Sequence, residues 1–215
     1  MSWVDTYYSL DLWADITPSV VSPETSWGTR DMWARSTAET VLVLRGQPHR
    51  WLANRRLAKR LLRTYDVYAR QPLGKHTYIH LGNLRQQYLP VTVSYGPAEG
   101  DRRGALRRLC RADDPELLRP PQLDTFHAGH LGEGLKALGH VVLDDNEIVA
   151  NLWYAFRDET HQLDVVVFAS TGDLVRLNQI GPDIDALVHG IKVRADDEEG
   201  WWAGVADDIP ADIDG

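Results

Sequence analysis

The sequence predicts an α+β domain: a mixed or mainly antiparallel sheet with packed helices, followed by an acidic C-terminal tail. Four runs, Thr77–Leu81, Tyr88–Tyr95, Glu147–Phe156 and Leu163–Ser170, are rich in β-branched and aromatic residues and read as strands. Helix-period segments over Arg50–Ala69 and Asp101–Arg111 stand among them without a regular βαβ alternation. At 215 residues, 43% hydrophobic and 25% charged, the chain has material for one domain with a real core. We place that domain at 1–195 and the tail at 196–215.

Residues 1–35 are aromatic-rich without clean periodicity and are expected at the domain's periphery, with Trp13, Trp27 and Trp33 packing on it as anchors. Ser9–Thr17 and Thr29–Thr37 share a weak pattern, but two copies do not make a solenoid. Thr17–Pro23 reads as loop. Thr40–Leu44 reads as a short buried strand, ended by Arg45-Gly46-Gln47-Pro48. Over Arg50–Ala69, Leu57, Leu61, Tyr65 and Tyr68 form an apolar stripe. Arg56, Lys59, Arg60 and Arg63, at i, i+3, i+4 and i+7, form a basic one. Pro90 puts Tyr88–Tyr95 at a sheet edge, or itself at the strand's start.

Asp101 is the expected N-cap of a helix through Arg111, with Arg103, Arg107 and Arg111 on one face. Asp113–Pro121 reads as a linker and Leu131–Leu138 as a helix. Glu147–Phe156 and Leu163–Ser170 are expected to pair as a central antiparallel hairpin around the polar turn Arg157–Gln162. Asp173–Gln179 reads as a strand or short helix, and Asp183–Ile191 as a helix.

The net charge of -8 hides a strong segregation. Residues 45–119 hold 16 basic against 6 acidic side chains, and residues 120–215 hold 5 against 19. The last twenty carry eight acids, no base, and the pair Trp201-Trp202. Such a tail is expected to be mobile, with the tryptophans either docking back on the domain or serving as an anchor for a partner. The single cysteine, Cys110, excludes an internal disulfide and a cysteine zinc site. No apolar run reaches the roughly 18–20 residues of a membrane span. MSWVDTYYSLDLWAD has neither basic nor apolar signal-peptide regions, so a cytoplasmic protein without a membrane partner is expected. Arginine's preference over lysine and the eight tryptophans fit a high-GC bacterial or phage genome.

Several common chemistries are missing. There is no phosphate-binding Gly-x-x-x-x-Gly-Lys-Ser/Thr loop, no Gly-x-Gly-x-x-Gly and no Gly-x-Ser-x-Gly elbow. Asp164 heads a strand as a nuclease carboxylate would, but Val175-Arg176-Leu177-Asn178 stands where a Glu-x-Lys would be needed. His127 and His130 with Asp124 lack the further ligand zinc requires, and no metal is expected.

Leu44-Arg45-Gly46-Gln47, then His130-Leu-Gly132, Asn151-Leu-Trp-Tyr-Ala155 and Leu163-Asp-Val-Val-Val-Phe168, resemble in their order the FRG domain family. That family resembles the ADP-ribosyltransferase fold. The resemblance implies an NAD-using enzyme, with Arg45 at a strand end to hold a pyrophosphate and His130 in the site.

The residues themselves favour a non-catalytic binding protein for an anionic partner, nucleic acid or an acidic protein surface. The two basic stripes would carry it, beside Trp51, Tyr65 and Tyr68. The acidic tail would mask them. A protein-interaction role, as an immunity, antitoxin or phage-assembly component anchored by Trp201 and Trp202, is the alternative of a different class. No cofactor is expected outside the NAD reading.

Overall fold

A computed structural model describes residues 3–17, 28–48, 50–68, 75–84, 88–144 and 146–195. Trp27 and the tail with Trp201 and Trp202 lie outside the described residues. The elements in order are β1 (Trp3–Thr6), β2 (Trp13–Asp15), α1 (Arg30–Leu44), α2 (Trp51–Tyr68), β3 (His76–His80), β4 (Leu89–Pro97) and α3 (Arg102–Leu109). They continue with β5 (Gln122–Ala128), β6 (Gly132–Val142), β7 (Ile148–Asp158), β8 (Leu163–Thr171), α4 (Leu174–His189) and β9 (Ile191–Arg194). Seven strands form one antiparallel sheet in the order β2-β3-β4-β8-β7-β6-β5, and β1 pairs with β9 in a second. The chain therefore has the α+β architecture its sequence predicts.

The expected hairpin is β7–β8, and it is central. Side chains alternate across a strand, so each face draws on every second residue. On one face Leu152, Tyr154 and Phe156 join Val165, Val167 and Ala169 under α4 and the β1–β9 pair. The opposite face is covered in two places. Ala14, Ile16, Ile79 and Leu81 pack under the α1–α2 pair. Ala137, Trp153 and Ala155 pack under Leu106 and Cys110 of α3. Strand register puts both helical covers on the same face: Ile79 lies opposite Pro90, Thr77 opposite Thr92, Thr92 opposite Phe168, and Phe168 opposite Trp153.

Four local readings change. Thr40–Leu44 is the end of α1, not a strand. Trp33, Ala34, Ala38, Val41 and Leu42 make one buried helical face, and that burial outweighs β propensity. Leu131–Leu138 belongs to β6, not a helix. Gly134 and Gly139 let Phe156, Trp153 and Leu117 approach closely, which no helix would need. The stretches Asp173–Gln179 and Asp183–Ile191 belong to one helix, α4, running Leu174–His189 across Gly181-Pro182, and Ile191 opens β9. The N-terminal segment supplies β1 and the sheet-edge strand β2, with Trp13 2% exposed. The look-alike stretches around Trp13 and Trp33 form a strand and a helix respectively. Pro90 stands at the start of β4, a strand paired on both sides.

Candidate anion-binding surface

Helix α2 buries Leu57, Ala58 and Leu61 and turns its basic residues outward. Arg56, Lys59 and Arg63 are exposed, as is Arg55 beside them. Among the described residues none of these four has a carboxylate within ion-pair distance. The helix's one acid, Asp66, is taken by Arg30 of α1. Arg60 departs from the stripe. Its Nη1 donates to the Leu84 carbonyl, and its guanidinium lies 4.4 Å from the centre of the Tyr88 ring. Trp51 at the helix start is 68% exposed, and Tyr68 at its end is half-buried.

The second stripe is different in kind. Asp101 caps α3 as expected, its side chain accepting from the Gly104 N–H at 2.8 Å. The helix ends at Leu109, however, and Arg111 lies past the cap at φ 53°, a left-handed stop. Arg103 is exposed. Arg107 pairs with Asp113 at 2.5 Å, and Arg111 pairs with Asp114 and with Glu116. The loop read as a linker thus folds its acids back on the arginines. A cleft of about 460 Å³ between Arg107, Arg108, Arg111 and Asp113 has mixed charge.

Both stripes rise from one face of the sheet, with β4 and β8 between their helices. Three to four strand spacings separate the two supports, roughly 14–19 Å.

Arg45 has a local structural job. Gly46 N–H bonds the Val43 carbonyl, and Gln47 N–H bonds the Leu42 carbonyl, with Gly46 at φ 69°. Arg-Gly-Gln is therefore the stop of α1 rather than the end of a strand. The Arg45 guanidinium donates to the carbonyls of Asp11 at 2.6 Å and Leu81 at 2.9 Å. His130 sits exposed in the β5–β6 turn. β3, where Arg45 is anchored, and β6 are four strand spacings apart, roughly 19 Å, so the structure does not bring the two together.

The other chemical candidates are also engaged. Asp164 forms a buried bidentate pair with Arg157. His127 faces Glu133 across the hairpin at 3.3 Å. Among the described residues no three His, Cys, Asp or Glu side chains are placed to hold a metal ion. Cys110 is buried, and burial pushes its thiol up to about 12. Among the described residues no helix is long and apolar enough to cross a membrane.

Three features were not legible as a group in the sequence. Tyr88 is 5% exposed, and its hydroxyl has no hydrogen-bond partner among the described residues. Arg176 is buried at the start of α4, and burial lowers its pKa. His80 Nε2 lies 2.8 Å from Asp183 of α4, with its ring edge-on to Trp13; burial lowers its pKa against the pull of Asp183. The one sequence signal was a charged Arg176 between the apolar Val175 and Leu177. No family model matches the chain, and no curated protein does.

Proposed function

We propose that the protein is a non-catalytic binding protein that engages an anionic partner, a nucleic acid strand, through the outer face of α2. One observation carries the reading: four adjacent cationic side chains, Arg55, Arg56, Lys59 and Arg63, stand exposed with no carboxylate at ion-pair distance among the described residues. Cations held this way gain by releasing the counterions of phosphates. Trp51, exposed at the start of the helix, adds a face on which a base can stack. The eight acids of residues 196–215 compete for the same surface.

Fluorescence polarisation of labelled RNA, single-stranded DNA and duplex DNA tests this, with the full chain and with residues 1–195, at low and physiological salt. Binding should weaken with a log–log salt slope of roughly -3 to -4 for four phosphate contacts. It should strengthen without the acidic segment, and Lys59→Glu with Arg63→Glu should remove it. Salt-insensitive binding, or none by either chain at low salt, would overturn the reading.

A protein partner, as for an immunity, antitoxin or phage-assembly component, is the second reading. Val43 and Leu44 end α1, Trp51 and Leu52 begin α2, and all four are at least half exposed at one end of the helical pair. Loss of partner capture on Trp51→Ala with Leu52→Ser, with polyanion binding kept, would favour it.

A further inference from the structure

A cavity of about 900 Å³ lies at the end of α2, a size within the range of small-molecule sites. Leu89 and Pro90 of β4 line it, with Tyr68 contributed by the last turn of α2. Ser170 and Thr171 at the end of β8, Gly172 and Asp173 of the turn into α4, and the first residues of α4 complete it.

Its polar groups suit an anion. Tyr88 is among the lining residues, and its hydroxyl is buried without a partner among the described residues. Folded proteins rarely leave such a group unsatisfied without a reason, so a ligand oxygen is a natural partner. The Arg60 guanidinium lies over the Tyr88 ring, and Arg176 is a second cation in the same lining. Asp173 is committed to capping, accepting from the Arg176 N–H at 2.9 Å, which leaves the Leu174 and Val175 N–H groups at the helix start.

The rest of the lining suits something larger than phosphate. Tyr68, Leu89, Pro90, Leu174 and Val175 offer a ring face and apolar surface. Glu147 is the remaining acid there. It would repel a bare phosphate, but it can accept hydrogen bonds from a base amino group or a sugar hydroxyl.

We propose that this cavity binds a nucleoside monophosphate, its phosphate on Tyr88 and Arg176 and its base against Tyr68. The nucleotide is either free or the terminal unit of a strand lying along α2; only the second source rests on the function proposed above.

Calorimetric titration of the full chain with AMP, GMP, CMP and UMP tests this, with inorganic phosphate and adenosine as partial ligands. At least one monophosphate should bind about tenfold or more tighter than either partial ligand. Tyr88→Phe should weaken it about tenfold, the loss expected for a hydrogen bond to a charged group. The same variant should melt no lower than the wild type, because it removes a hydroxyl that has no partner. A purely structural tyrosine would show the opposite pattern. Val175→Glu, at a position 70% exposed, should weaken the monophosphate without touching the core.

Oligonucleotides with and without a terminal phosphate separate the sources. A preference for the phosphorylated end that Tyr88→Phe abolishes identifies a strand end; monophosphate binding without that preference identifies a free nucleotide. Monophosphate binding that survives Lys59→Glu with Arg63→Glu upholds the cavity even if the α2 reading fails. No monophosphate binding, or binding unchanged in Tyr88→Phe, overturns the proposal.

Discussion

Arg157 and Asp164 stand directly opposite each other on β7 and β8, and both Asp164 oxygens are held by the one guanidinium, at 2.7 and 2.9 Å. Arg157 also donates to the carbonyls of Gly100 at 2.7 Å and Glu99 at 2.9 Å. The pair thus ties the central hairpin to the turn that launches α3. A carboxylate spent this way is a clamp, not a metal ligand.

Removing one partner strands the other charge in the sheet. Asp164→Ala should therefore lower the melting temperature far more than Asp113→Ala, whose carboxylate is 73% exposed. Comparable melting of the two variants by circular dichroism would show that Asp164 is not a clamp.

A second prediction concerns pH. Asp15 is buried in β2, and burial raises its pKa to about 6 although Thr17 donates from both its N–H and its hydroxyl. The folded chain then holds this proton more tightly than the unfolded chain does. Stability from Asp15 is full below the ordinary carboxylate range and is lost as pH rises from about 4 to about 6, by about 3 kcal/mol. Tyr8 and Tyr78 face the same carboxylate and stay neutral throughout, their pKa values raised by burial. Asp15→Asn keeps an oxygen for Thr17. Its stability advantage over the wild type in urea should grow across that window. A constant difference would mean that Asp15 is ionised at little cost.

A third concerns space. A Cβ on Gly190 would lie 1.9 Å from the Tyr7 carbonyl oxygen, at the point where Tyr7 N–H bonds the Gly190 carbonyl. Its φ of -81° is open to any residue, so the glycine is needed for room alone. Gly190→Ala should cost about 1–3 kcal/mol by pushing β1 from β9. Gly96→Ala, with nothing within 4 Å, should be neutral or stabilising by up to about 1 kcal/mol. Equal denaturation midpoints would remove the steric account.

What the sequence disclosed follows from how local each signal is. The Leu57–Leu61 and Arg56–Arg63 stripes are both properties of one helix, and α2 forms where they place it. The β7–β8 pair announced itself because both strands are apolar and a short polar turn joins them. β5 did not, because an edge strand exposes most of its side chains: Gln122, Asp124, Thr125 and His127 face solvent. The end of α1 looked like a strand because its run is β-branched; what makes it helical is the burial of Val41 and Leu42 with α2, a tertiary cause. The Tyr88 cavity draws on α2, β4, β8 and α4, so no window of sequence contains it.

The last prediction separates the two basic stripes, which the sequence presents as equals. Arg107 and Arg111 already have carboxylate partners in Asp113, Asp114 and Glu116, whereas Arg56, Lys59 and Arg63 have none among the described residues. A phosphate approaching α3 must displace these acids, while one approaching Arg56, Lys59 and Arg63 of α2 meets no ion-paired carboxylate among the described residues. Arg56→Glu with Arg63→Glu should therefore weaken RNA or single-stranded DNA binding and reduce the salt slope by roughly 2. Arg107→Glu with Arg111→Glu should change both much less. Asp113→Asn with Glu116→Gln should free Arg107 while Asp114 still holds Arg111, strengthening binding and steepening the slope by about 1. Equal losses from the two arginine pairs would mean that the acids of the 113–116 loop yield to the partner, making α3 part of the binding surface from the start.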